Sequence, residues 1–133
     1  GVYDGVKIFD GDLKEFELAD VKILSEKVSL QKGTINNGGS NVYQLSVQNG
    51  AKVVMVAENT NNNNKEFFEF GVIDNGTDIF HTEYGNVRTG EQLIVPTFEK
   101  TASGFARVNF DIGSSVTAGH NVVVTIVSNI NKK

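Results

Sequence analysis

Apolar and polar residues alternate along most of this chain, and a period of two is typical of β-strands that bury one face. The clearest example is "NVYQLSVQ", where Tyr43, Leu45 and Val47 fall on one side and polar residues fall on the other. Stretches with the 3.6-residue period of an amphipathic helix are almost missing. The alternation therefore predicts an all-β fold, in which Tyr43 is buried.

Eight segments carry this alternation or a continuous apolar run. The inward residues of "FELADVKIL" are Phe16, Leu18, Val21 and Ile23. Their phase changes at Ala19-Asp20, where we expect a β-bulge. The segment "AKVVMVAE" is almost wholly apolar, which predicts a strand covered on both faces. The other segments are "EFFEFGVID", "DIFHTEY", "EQLIVPTFE", "FARVNFDI" and "HNVVVTIVSNI".

Gly and Asn separate most of these segments, and both residues tolerate the positive φ angles of hairpin turns. Asn49-Gly50 predicts one hairpin, and Asp74-Asn75-Gly76-Thr77 predicts another. Pro96 interrupts a strand pattern, so we expect it at a sheet edge or a bulge because proline cannot donate to the ladder. The stretches "INNGGSN" and "NTNNNNK" are predicted to be polar loops that bury nothing.

Regularly spaced short strands predict a single-domain β-sandwich or jelly roll of about eight antiparallel strands. A chain of 133 residues is the size of one domain, and no linker divides it. We therefore expect residues 1–133 to form a single β-sandwich domain, with residues 1–9 as an extended N-terminal arm.

Composition argues against several classes of function. The net charge is -4 without a clustered Lys/Arg stripe, so the field that attracts nucleic acid is missing. The absence of cysteine removes disulfides, thiolate catalysis and zinc-thiolate sites. The longest apolar run, Val53 to Ala57, is far shorter than the roughly 20 residues that span a membrane. Neither nucleic acid nor a membrane is expected as a partner.

One stretch, "GTDIFHTEYGNVRTG", concentrates residues that could carry chemistry: His81, Glu83, Tyr84 and Arg88. His81 and Glu83 would share a face of a strand. A catalytic base also needs a nucleophile and an orienting group, and a metal needs a third ligand. We expect a half-exposed polar sheet face, with a metal or acid–base site as the alternative. No catalytic, cofactor-binding or metal-binding residue is predicted, and the chain is not expected to be an enzyme.

Two acidic turns, Asp10-Gly11-Asp12 and the stretch from Asp74 to Asp78, offer oxygen atoms that calcium could use. Neither has the twelve-residue EF-hand pattern, so plain Asx-turns are the favoured interpretation. Asn75-Gly76-Thr77 also matches a glycosylation acceptor, a triplet that arises readily in an Asn-rich chain.

Aromatic residues bear on two kinds of binding. Phe67, Phe68 and Phe70 put aromatic rings on both faces of one strand, which indicates core packing or, alternatively, an intersubunit contact. A carbohydrate-binding module usually stacks a sugar on an exposed ring. The chain has no Trp, and its tyrosines are Tyr3, Tyr43 and Tyr84. This composition weakens the carbohydrate-binding hypothesis without removing it.

Three stretches carry a resemblance: "FDGDLKEFELADVKIL", "IDNGTDIFHTEYGNVRTGEQLIVPTFEKTASGFARVNFDIG" and "VVVTIVSNI". They resemble β-rich virion structural proteins of tailed bacteriophages, particularly the contractile-tailed phages of marine cyanobacteria, over roughly residues 10–130. The resemblance rests on the run of strands and turns and contains no reaction motif. It implies a capsid decoration protein that docks on the capsid lattice in many copies, or a β-domain of a neck, tail or fibre protein.

The resemblance also implies partners and a location. The chain would associate with itself, for example as a trimer, and with capsid or tail proteins, in a virion assembled in the host cytoplasm and without a cofactor. If it decorates the head, Gly1 would be a start left by a maturation protease, although a chain trimmed for expression would begin in the same way. The alternative function is a non-catalytic carbohydrate-binding or adhesion module with a glycan as partner.

Overall fold

The structure is a computed structural model that describes residues 13–33, 42–101, 104 and 106–132. These residues contain no helix, and therefore none long and apolar enough to cross a membrane. They form nine strands: β1 (Leu13–Glu17), β2 (Val21–Gln31), β3 (Val42–Ser46), β4 (Gly50–Asn59), β5 (Lys65–Asp74), β6 (Ile79–Arg88), β7 (Ile94–Lys100), β8 (Ala106–Ile112) and β9 (Asn121–Asn131).

The strands form two sheets in which every pairing is antiparallel. The larger sheet has six strands in the order β1-β2-β9-β4-β5-β6, and the smaller has three in the order β3-β8-β7. The two sheets pack face to face, so the predicted all-β sandwich is confirmed. The face of the larger sheet that meets the smaller sheet is called the inner face here, and the opposite side is called the outer face.

The core fills the space between the sheets. Phe70 on β5 is its centre, with ring centroids 5.4 Å from Phe98 and 6.1 Å from Phe110 of the smaller sheet. On β9 the alternation is complete, because Val122, Val124, Ile126, Ser128 and Ile130 are buried while the residues that alternate with them are partly or largely exposed. The period of two therefore acts as predicted on this strand.

The predicted β-bulge at Ala19-Asp20 is wrong. The chain reverses there, with the Leu18 amide donating to the Val21 carbonyl at 2.8 Å, and β1 pairs with β2 as a hairpin. This reversal explains the change of phase and adds a ninth strand. Leu18 and Ile23 were expected to point inward but are 47% and 39% exposed, while the Phe16 side chain lies outside the described part.

The segment "AKVVMVAE" is covered on one face only, contrary to the prediction. Val53, Met55 and Ala57 are buried, whereas Val56 on the opposite side is 47% exposed. The reason is tertiary: β4 lies inside the six-stranded sheet, but the smaller sheet covers only its inner face.

Of the predictions about turns and about Pro96, two are confirmed and one is wrong. Asp74 to Thr77 joins β5 to β6 as a hairpin, with Gly76 at φ 97°. Pro96 lies on β7, an edge strand of the smaller sheet, as expected. Asn49-Gly50 does form a turn, but the chain crosses there from β3 in one sheet to β4 in the other. That hairpin prediction is wrong, because each strand finds its partners elsewhere.

Tyr43 bridges the two sheets at their β2–β3 side. It is only partly buried, and its hydroxyl donates to the Glu26 carboxylate. Burial, together with this bond, raises the pKa of Tyr43 above its ordinary value. The predicted burial of Tyr43 therefore holds for part of the ring, while its polar end makes a contact that alternation does not reveal. The N-terminal arm and the loop "INNGGSN" lie outside the described residues.

Candidate functional site

β6 contains the residues that the sequence singles out for chemistry. His81 and Glu83 share one face of the strand, as predicted. This face is the inner side of the sheet, and both side chains are exposed. The His81 ring stacks on Phe98, with centroids 3.8 Å apart and planes 9° from parallel. A cleft of about 710 Å³ opens here between β6 and β7. The pair therefore lines the open side of the sandwich.

Arg88 serves the fold through Glu66. The Glu66 side chain is buried, and one carboxylate oxygen accepts from Arg88 Nε while the other accepts from the Ile94 amide at 3.0 Å. These bonds join β5, β6 and the start of β7. A buried carboxylate whose two oxygens are both hydrogen-bonded holds these strands together. The bonds of Glu66 to Arg88 and Ile94 are called the clasp here.

The groups proposed for metal binding are dispersed or already bonded. Within the described residues, no three His, Asp or Glu side chains are close enough to hold a metal ion. His120 bonds Asn59, away from the His81 ring that stacks on Phe98. Lys100 bonds both carboxylate oxygens of Asp74, and Asp74 Oδ1 also accepts from the Gly76 amide, as in an Asx-turn. The Asp10-Gly11-Asp12 turn lies outside the described residues.

A network of side-chain hydrogen bonds, called the polar knot here, closes one end of the sandwich. It joins Glu91 to asparagines of the stretch "NTNNNNK". The Glu91 carboxylate accepts from the side-chain amides of Asn59, Asn62 and Asn64. Its pKa is lowered, first by the bond from Asn62 and also by the bonds from Asn64 and Asn59. Asn59, the first residue of this stretch, is fully buried as the last residue of β4, so the loop is shorter than predicted, and its residues 60–63 are exposed as expected.

β6 has the reverse of the polarity expected in a sandwich. After Ile79, which packs against the core at the start of the strand, the side chains that it directs to the inner side are polar: His81, Glu83, Asn86 and Arg88. Those directed outward include Phe80 and Val87, and the extra residue of a bulge, Tyr84, lies over Gly71 on the outer face. A strand that turns its apolar side away from its own core is expected to bury that side against something else.

The outer face continues this apolar character across the larger sheet. Seven of its side chains form what is called the outer patch here: Ile23, Val56, Ile73, Phe80, Tyr84, Val87 and Val127. The most exposed are Tyr84 at 63%, Val87 at 62% and Ile73 at 60%. Single exposed apolar residues are ordinary, but a set this large on one sheet face is typical of a protein interface.

A groove crosses the outer patch. It has a volume of about 650 Å³ and is lined in part by Gly50, Gly71, Ile73, Phe80 and Tyr84. In the strand register Gly50 and Gly71 lie between the asparagines of β9 and the aromatic residues of β6. The missing side chain of Gly71 leaves room for the Tyr84 ring, and the missing side chain of Gly50 leaves room for Ile73.

Opposite charges on the outer face are paired with each other. Lys52 Nζ lies 3.0 Å from a Glu69 carboxylate oxygen and 6.0 Å from the centroid of the Tyr84 ring. Lys65 Nζ lies 4.0 Å from a Glu58 carboxylate oxygen. Among the described side chains of this face, Lys27 alone adds another charge.

Sequence reasoning missed the outer patch as a single surface, although its signals were present. Phe68 and Phe70 are core residues, while Phe67 faces outward, as the alternative of an intersubunit contact required. The signal was the pattern Phe80, Thr82, Tyr84 facing one way on β6. Without the register, nothing indicated that this side was the outer one.

Comparison with known proteins gives matches of structure only. Neither a protein family nor a curated protein sequence matches the chain. Similar solved structures include the tailspike protein of Acinetobacter phage vB_ApiP_P1, with 16% identity and a TM-score of 0.48 over 80% of this chain. The tailspike of Acinetobacter baumannii phage AM24 has 9% identity and a TM-score of 0.45 over 85% of the chain.

A third similar structure is the tailspike gp49 of Acinetobacter baumannii bacteriophage Fri1, a capsular polysaccharide depolymerase. It has 16% identity and a TM-score of 0.45 over 93% of this chain. The chain spans only 21%, 26% and 20% of the three tailspikes, in the order given.

Proposed function

We propose that this chain is a structural β-domain of a tailed-phage virion, in a tail, neck or fibre protein, and that it works by packing against other protein. The observation that carries the proposal is the outer patch, together with the reversed polarity of β6. The sequence resemblance to virion structural proteins supports the same role. A capsid decoration role stays a prediction.

The chemistry of the described residues favours packing over catalysis. His81 stacks on a phenylalanine, Arg88 is bonded to a buried carboxylate, and Asp74 is bonded to Lys100. Three of the groups that sequence analysis singled out thus have structural partners. We propose that the domain provides a binding surface and leaves any reaction to other parts of the particle.

The test is the composition of purified particles. Mass spectrometry of extensively washed virions of the phage that encodes the chain should find it at a fixed ratio to the tail proteins. Immunogold labelling should then locate it on the tail, neck or fibres. Absence from washed particles would contradict the proposal, and labelling of the capsid shell would support the decoration role instead.

A carbohydrate-binding function is the second candidate, and the groove favours it. Tyr84 exposes most of its ring there, and Asn129 and Asn131 supply amide groups on the opposite side. An exposed ring beside hydrogen-bonding amides is a common arrangement for holding a sugar. Calorimetric titration with capsular oligosaccharides tests it: binding that Tyr84→Ala abolishes would support the second candidate.

A further inference from the structure

We infer that the outer patch is covered by a second copy of this chain, packed face to face against the same patch. The inference rests on the proposed function, because it names the protein against which the domain packs. Three properties of the outer face support self-association: its size, its charge balance and its shape.

The size of the outer face suits a stable pair. The six-stranded sheet is about 24 Å wide at roughly 4.8 Å per strand spacing, and a ten-residue strand is about 33 Å long. The product, about 800 Å² per copy, is an upper estimate because β1 has only five residues, and it is close to the area that each partner contributes to an interface of standard size. Two sheets can also pack face to face at about 10 Å with their strands nearly aligned.

The charge balance removes the main obstacle to self-association. In a two-fold contact each surface meets its own copy, so a face of one sign would repel itself. Here Lys52 is paired with Glu69, and Lys65 lies beside Glu58. These four charges neutralise each other within each copy, and among the described side chains of the face Lys27 on β2 adds one further positive charge. The apolar side chains between the two pairs can therefore approach.

The shape of the face is self-complementary. Phe80 on β6 borders the groove and is 51% exposed, whereas the Tyr84 ring lies over Gly71 of its own copy. In a two-fold arrangement the exposed Phe80 ring of one copy can enter the groove of the other. A projection and a recess on the same face fit a second copy of the chain, since each contact is made twice.

The other sheet edges do not offer the same opportunity. β3 is five residues long, β7 contains Pro96, and β1 carries charged residues in the sequence "LKEFE". Short length, proline and charge all oppose pairing with another chain. β6 is a longer edge, but it carries the charged residues Glu83 and Arg88. Pairing between strand edges is therefore opposed at each of these edges, which leaves the outer face as the surface for a second copy.

Sedimentation equilibrium of the purified chain tests the inference. We expect a dimer at micromolar concentration, within the range that interfaces of this size cover. Val87→Lys and Tyr84→Lys should each raise the dissociation constant at least tenfold, since each places a charge in the apolar contact. Leu18→Lys is the matched control: Leu18 is also exposed, but it lies in the β1–β2 turn, and this variant should dimerise like the parent.

Gly71→Ala provides a second, gentler variant. A Cβ at Gly71 would lie 2.8 Å from the Tyr84 hydroxyl, the far end of a flexible side chain, so the ring should shift while the sheet keeps its structure. We expect unchanged circular dichroism and weaker association. A parent chain that stays monomeric at high micromolar concentration, or a dimer unaffected by the outer-patch variants, would overturn the inference. A monomer still found in washed virions would leave the proposed function intact.

Discussion

Glu66 gives the sharpest test of how the sandwich is held together. Its side chain has no exposed surface, and its two carboxylate oxygens accept from Arg88 and from the Ile94 amide. Glu66→Ala leaves that buried amide unpaired, which costs about 1–3 kcal/mol. Glu66→Ala also removes the ionic partner of Arg88. Because the Arg88 side chain is 35% exposed and can form hydrogen bonds with water instead, this loss lowers the free energy of unfolding by only about 1–2 kcal/mol more.

The expected loss for Glu66→Ala is about 3 kcal/mol, at the lower end of the range for breaking a buried ion pair. Glu66→Gln keeps an oxygen for the Ile94 amide and should lose about half as much. Urea unfolding followed by circular dichroism measures both variants. The melting temperature should fall by roughly 10 °C for the alanine variant in a domain of this size.

The control for Glu66 is Glu58→Ala. Glu58 pairs with Lys65 at 4.0 Å, and both side chains are substantially exposed, so its removal should change the free energy of unfolding by less than about 0.5 kcal/mol. Equal losses for Glu66→Ala and Glu66→Gln would show that the Ile94 amide does not depend on this oxygen. A loss below about 1 kcal/mol for the alanine variant would refute the clasp.

Two further predictions concern the core and the polar knot. Phe70→Ala should lower the free energy of unfolding by about 3–5 kcal/mol, whereas Phe67→Ala, on the same strand but facing outward, should cost much less; similar losses in urea unfolding would contradict the assignment of faces. Because the folded-state pKa of Glu91 is lowered, its contribution to stability is present above the ordinary value of 4.5 and is lost as pH falls through the lowered value. The melting temperature of the parent should therefore exceed that of Glu91→Gln at neutral pH, and the difference should shrink in acid; a difference independent of pH would count against the knot.

The sequence by itself determined the fold class and the positions of most strands. Alternation along "NVYQLSVQ" and β9 is a local property, because successive side chains of any strand point to opposite faces. Turn chemistry is local as well, which is why the hairpin at Asp74 to Thr77 and the edge position of Pro96 could be predicted.

Strand partners depended on tertiary structure. Asn49-Gly50 has the chemistry of a hairpin turn, yet β3 and β4 belong to different sheets. A turn motif specifies the backbone of a few residues, and it does not specify which strands the flanking segments will pair with. The same limit explains Ala19-Asp20, where a tight reversal and a bulge would each produce the same change of phase.

The candidate site shows the limit most clearly. Period two places His81 with Glu83 and Phe80 with Thr82, but it does not say which pair faces the core. Only the pairing of β6 with β5 decides this: it aligns His81 with Val72 on the inner side and Phe80 with Ile73 on the outer side. Which face of a strand is covered depends on the packing of a second layer, and the smaller sheet covers only the inner face. The outer patch is therefore a product of tertiary structure, built from residues whose alternation was visible from the start.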